Sequence, residues 1–122
     1  MKDNEKIDLG SVQVHKKVFA EIIASALKEV SGVKLIDKNL GNRLFEMFGK
    51  KDFPGIDVKV NDNHDVSLEL RILVQYGINI PDVARQVQET VKSAIDKTLD
   101  VNLKDIHVNV QGIARGKNEF LN

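Results

Sequence analysis

The sequence predicts an α+β fold: a mixed β-sheet with two long amphipathic helices on one face, in the order β-α-β-(short α)-β-β-α-β. Three observations carry this. Residues 15–30 and 81–99 place apolar side chains at helical spacing. Residues 56–60 and 66–74 alternate apolar and polar around a short turn. The chain has 122 residues, 42% apolar and 30% charged, enough for one domain with a real core and unlike a disordered composition.

The first helix is read from Val18, Phe19, Ile22, Ile23, Ala26, Leu27 and Val30, which form a broad apolar stripe, with Lys16, Lys17, Glu21, Lys28 and Glu29 opposite. Ser31-Gly32 ends it, because glycine takes the left-handed conformation that a helix C-terminus needs. Residues 11–14 form a short strand before it, and residues 33–38 a strand after it. Leu40, Leu44, Phe45, Met47 and Phe48 then have helical spacing, a short helix over residues 39–49. A loop at 50–55 closes on Pro54-Gly55, a strong turn signal.

Ile56, Val58 and Val60 share one strand face, with Asp57 and Lys59 on the other. After the polar break at 61–65, Val66, Leu68, Leu70, Ile72 and Val74 point inward, while Ser67, Glu69 and Arg71 point out. The pair is a β-hairpin. Pro81 suits the first turn of the second helix, whose stripe is Val83, Val87, Val91, Ala94, Ile95 and Leu99. The last strand, residues 102–111, turns Ile106, Val108 and Val110 in and His107, Asn109 and Gln111 out. Both helices pack on one sheet face, each strand–helix–strand segment making a crossover. Ile22, Ala26, Leu70, Ile72, Val87 and Val108 are the expected core. Residues 10–113 form the single domain, between a flexible N-terminus at 1–9 and a flexible tail at 114–122.

Eighteen Lys and Arg balance eighteen Asp and Glu, which argues against holding nucleic acid by bulk charge. There is no cysteine, so disulfides, thiolate zinc sites and cysteine nucleophiles are excluded and a cytoplasmic location is expected. No apolar run approaches the ~20 residues of a membrane span, and residues 1–6 lack the apolar stretch of a secretory signal. His15, His64 and His107 lie at a helix start, a turn and a strand face, without ligand spacing, so no metal is expected. Ser31 and Lys34 formally match a serine–lysine nucleophile motif but straddle a helix end and a strand start, so their side chains do not converge. No phosphate-binding glycine loop and no carboxylate pair for acid–base work occurs. No catalytic residue and no cofactor are expected. The outward strand residues mix signs and offer no aromatic platform for bases, so no nucleic acid partner is expected.

The most unusual local feature is the cluster Leu40, Leu44, Phe45, Phe48 and Phe53, which holds three of the five phenylalanines. Two readings stand. It completes a small piece of core against the sheet edge, or it is an interaction surface for a partner or a second copy. Glycines 41, 49 and 55 beside it let it shift.

Together these segments resemble the alkaline shock protein family. Gly10-Ser-Val-Gln-Val leads into Val18-Phe-Ala-Glu-Ile-Ile-Ala and then Val30-Ser-Gly-Val33. Gly55-Ile-Asp-Val-Lys-Val and the run from Val66 through Tyr76-Gly77 to Pro81-Asp-Val match the family's central segment. Val87-Gln-Glu-Thr-Val-Lys and Val108-Asn-Val-Gln-Gly-Ile match its closing helix and strand. The similarity covers about residues 10–113. The lack of a long charged tail is similar to the short, housekeeping-type members.

The resemblance implies a small cytoplasmic protein of Gram-positive bacteria, linked to envelope stress and without catalytic residues. It implies an interaction or scaffold protein that forms a homo-oligomer and meets protein partners, including a membrane-anchored one that brings it to the membrane periphery. A regulator that binds a lipid-metabolism enzyme is one alternative. A small RNA- or ligand-binding domain that uses the open sheet face is another.

Overall fold

A computed structural model of the chain describes residues 6–36 and 55–115. Within them the elements run β1 (Lys6–Asp8), β2 (Gln13–His15), α1 (Lys16–Leu27), β3 (Val33–Leu35), β4 (Ile56–Val60), β5 (Asp65–Gln75), α2 (Ile80–Thr98) and β6 (Asn102–Ala114). The expected α+β class and most of the order hold. The expected short helix at 39–49 lies outside the described residues.

β5 is the axis of the main sheet. From Asp65 to Val74 it alternates between half-buried and buried positions, and Gln75 at its end is exposed, the pattern of a strand covered on one face. Val66, Leu68, Leu70, Ile72 and Val74 are its buried set. β4 pairs with its first half, antiparallel, with Ile56 opposite Leu70 and Val60 opposite Val66. This is the expected hairpin. Its turn is held by Asn61, whose Oδ1 accepts from the amides of Asn63 and Asp65 at 2.9 and 3.0 Å. β3 pairs with the second half of the same edge, Val33 opposite Val74 and Leu35 opposite Ile72. β3 and β4 therefore lie end to end along β5. At their junction the Ile36 amide donates to the Arg71 carbonyl at 3.1 Å, and the Arg71 amide donates to the Gly55 carbonyl at 2.8 Å. The chain passes so closely here that a Cβ on Gly55 would stand 2.7 Å from the Ile36 carbonyl oxygen, which only glycine tolerates.

β6 runs along the whole other edge of β5, parallel to it, from Asn102 beside Asp65 to Ala114 beside Gln75. Strand β5, helix α2 and strand β6 are thus one crossover unit, as expected. The first expected crossover is not formed. β2 pairs with β1 in a separate two-stranded sheet, Ile7 opposite Val14, while β3 joins β5. Residues 1–9 were expected to be a flexible terminus, yet Lys6–Asp8 is a strand with Ile7 buried. Ile7 is the only apolar residue of that strand, too short a pattern to reveal it. The expected strand at 11–14 lies at Gln13–His15.

The helices close one face. α1 is capped by His15, whose Nδ1 accepts from the Lys17 amide at 3.1 Å. It buries Phe19, Ala20, Ile23, Ala26 and Leu27. Gly32 follows with φ +79°, and a Cβ there would run into Ile78, so the turn requires glycine twice over. α2 begins with Pro81 in its first turn and with Asn79 as cap, whose side chain accepts from the Asp82 amide at 3.1 Å. It buries Val83, Val87, Val91 and Ile95. These residues and the inward side of β4 and β5 make one core cluster. Each fully buried large side chain contributes about 1.5–3 kcal/mol by leaving water.

Four of the six expected core residues, Ala26, Leu70, Ile72 and Val87, are buried. Ile22 and Val108 are only half-buried. Ile22 faces a groove between the helices, and Val108 sits on the outermost strand.

Candidate functional site

The sheet face away from the helices is built by residue order alone. With side chains alternating, β5 sends Ser67, Glu69, Arg71 and Leu73 outward while its apolar partners go into the core. The register then aligns rows across three strands. Lys59, Ser67 and Asp105 form one row, and Asp57, Glu69 and His107 the next. Arg71 and Asn109 are neighbours in the third.

These rows are knitted by polar contacts. The Ser67 hydroxyl donates to Asp105 Oδ2 at 3.4 Å, and Asn109 Nδ2 donates to Glu69 Oε2 at 3.3 Å. Arg71 Nη1 lies 3.5 Å from Glu69 Oε1, with both side chains partly exposed. Gln111 Nε2 donates to Asn109 Oδ1 at 3.0 Å. Asp57 and Glu69 stand directly opposite each other, an unfavourable like-charge pair with Arg71 beside it. The surface is a shallow, mixed-sign depression.

A second concavity lies between α1 and α2. Its floor is Ile22, Ala26 and Ala94, and its rim carries Glu21, Glu29, Glu89 and Lys97. At the end of the sheet, Tyr76 is 63% exposed. The Arg115 guanidinium stands 5.0 Å from its ring centre. The Tyr76 amide donates to the Ala114 carbonyl at 2.8 Å, so the paired backbone of β6 runs one residue past 113.

The candidate interaction residues Leu40, Leu44, Phe45, Phe48 and Phe53 lie outside the described residues. His15 is a helix cap, His64 occupies the hairpin turn with φ 67°, and His107 is on the outer face. Ser31 is in the turn after α1 and Lys34 on β3. Among the described residues no group of His, Asp and Glu is placed to hold a metal ion, and no helix is long and apolar enough to cross a membrane.

Sequence reasoning missed one surface. Among the described residues β6 has a neighbour on one edge only. Pairing partners, unlike face alternation, are not written in a single strand's pattern, so nothing in residues 102–114 announced an open edge.

The fold and these surfaces define a small α+β domain with one sheet face closed by helices and the other, among the described residues, not covered by any helix or strand. The chain belongs to the alkaline shock protein 23 family, described by its cell envelope-related function, whose family model matches residues 4–115. It is 30% identical over 112 residues to the uncharacterized protein YqhY of Bacillus subtilis, covering 91% of this chain and 82% of that one. It is 27% identical over 107 residues to the uncharacterized protein YloU of the same organism, covering 85% and 88%. Spy1535 of Streptococcus pyogenes, also uncharacterized, is 24% identical over 110 residues, covering 89% and 83%. No solved structure gives a significant match.

Proposed function

We propose that the chain is a non-enzymatic contact module that joins a second copy of itself and binds protein partners near the cell envelope, from the cytoplasmic side. The observation that carries this reading is the asymmetry of the sheet. One face is closed by α1 and α2, while the other presents hydrogen-bonded side chains of both signs beside a strand edge with no described neighbour. Contacts between proteins that also exist apart are on the whole no more apolar than the rest of the surface, so a polar face is compatible with such a contact. The outward positions hold Asp57, Glu69 and Asp105 among their charges, which repel phosphates rather than neutralise them.

The family's envelope-related function supports the location. The partner side of the proposal follows the resemblance: a membrane-anchored protein or an enzyme of lipid metabolism. The test uses two differently tagged copies expressed together in a Gram-positive host, followed by cell fractionation. The expected result is that one tag retrieves the other and that both travel partly with the envelope fraction. Retrieval of no second copy, with all of the protein in the soluble fraction, contradicts the proposal.

A further inference from the structure

We infer that the open edge of β6 is the surface on which two copies join, strand to strand and antiparallel, about a two-fold axis at Val108. This rests on the self-association proposed above and names its site.

β6 is the longest strand described, with 13 residues, and it borders β5 from end to end. Among the described residues it borders nothing on its other side. Backbone groups along a strand point to its two edges, so about half of those on β6 have no strand partner among the described residues. Such an edge is a template for another strand. Edges that stay single are usually short or guarded by charge or proline. β6 has no proline, and from Ile106 to Ala114 it has no Lys, Arg, Asp or Glu. Gln88 of α2 donates to the Ile106 carbonyl at 2.9 Å. A carbonyl accepts twice, so this contact does not close the edge.

The polarity of β6 says which strand fits. Val108 is its middle residue, and the strand reads nearly alike in both directions. With a two-fold axis there, all 13 residues overlap. Ile106 then opposes Val110 of the second copy, and Leu103 opposes Ile113. His107 opposes Asn109, Asp105 opposes Gln111, and Lys104 opposes Gly112. Outside the pairs Asn102–Ala114 and Lys104–Gly112, apolar meets apolar and polar meets polar, and neither charge meets its like. A shift by one residue sets Ile106 against Asn109 or Gln111 and loses the match. Lys104 and Gln111, the extra residues at the two register irregularities with β5, lie on opposite sides of Val108, so the irregularities recur near-symmetrically across the axis.

An independent observation points to the same edge. The apolar side chains of β6 from Leu103 to Ile113 are less buried than their neighbours on β5. Leu70 and Ile72 are fully buried, their neighbours Val108 and Val110 are only half-buried, and Ile113 is 49% exposed. Joined edges set Ile113 against Leu103 of the other copy, twice, and extend the helix-side apolar layer across the axis. Self-complementarity of this kind is what a two-fold interface requires.

The test is sedimentation equilibrium of the full chain and of Gln111→Lys and Gln111→Asp. Gln111 is exposed and its side-chain bond to Asn109 lies at the surface, so both variants should shift the dilute thermal melt only slightly. Each residue 111 faces Asp105 of the other copy. Lys therefore adds two attractions per pair of chains and Asp two repulsions. The expected result is a reversible dimer of the natural chain, with the two variants differing roughly tenfold in dissociation constant, Lys the tighter. A natural chain that stays single at every concentration overturns both the edge and the self-association reading. A natural chain that associates, with equal constants in both variants, overturns the edge alone.

Discussion

Leu70 and Val108 are register partners in adjacent parallel strands, yet Leu70 is wholly buried and Val108 is not. Both project toward the helices. The difference is position in the sheet. Leu70 has Ile56 on one side and Val108 on the other, whereas Val108 has a described neighbour on one side only.

Leu70→Ala should destabilise the chain by about 2–5 kcal/mol, the range for emptying a close-packed site. Val108→Ala should cost clearly less in dilute solution. Denaturant unfolding of both variants checks this. Equal losses would mean that β6 is covered on its outer side even in the single chain.

Gly32→Ala should cost about 1–3 kcal/mol, because a non-glycine residue is strained at its φ of +79° and its Cβ would displace Ile78. Gly77, at φ +93° with open space around it, carries the backbone strain alone, so Gly77→Ala should cost less. Thermal melts of the two variants read the difference.

Asn79→Ala should cost about 1 kcal/mol by leaving the Asp82 amide without its cap. Asn79→Asp keeps an acceptor oxygen at a helix N-terminus and should stay near the natural value. Unfolding midpoints of the pair separate loss of the cap from general damage to the turn.

Single-stranded RNA titrated at low salt should not bind tighter than about micromolar, since eighteen basic residues are matched by eighteen acidic ones. Fluorescence anisotropy reads this. Tighter binding with a steep salt dependence would move the outer sheet face into the class of RNA platforms.

Much of the fold was legible because one face of it is apolar. The β4–β5 hairpin followed from alternation that a buried face enforces, and α2 from Pro81 and the stripe of Val83, Val87, Val91 and Ile95. The alternation of β6 was readable only as far as Gln111. There the strand takes an extra residue relative to β5, so Gly112 and Ile113 fall on the wrong parity for a simple pattern. Three-residue β1 has a single buried side chain, Ile7, too little to register as periodicity.

The candidate site was less legible. The polar residues Ser67, Glu69 and Arg71 were read as outward and lie there, beside Leu73, which was not, but their grouping into cross-strand rows depends on register, which a sequence does not state. The β6 edge that has no neighbour among the described residues depends on the parallel placement of β6 beside β5 and on the docking of β3 and β4 along the opposite edge. The apolar cluster at Leu40, Leu44, Phe45, Phe48 and Phe53, which stood out most in the sequence, lies outside the described residues.

The joining of two chains along β6 about Val108 is tested most directly by disulfide trapping, since the natural chain has no cysteine to interfere. His107 and Asn109 lie on the outer face and oppose each other across the proposed axis, at a strand spacing of about 4.5–5.5 Å that a disulfide spans. His107→Cys and Asn109→Cys chains are mixed under mild oxidation, and each is also oxidised alone. The account predicts that the mixture forms a covalent pair faster than either variant by itself. Equal rates in all three samples, or no covalent pair in the mixture, would contradict it.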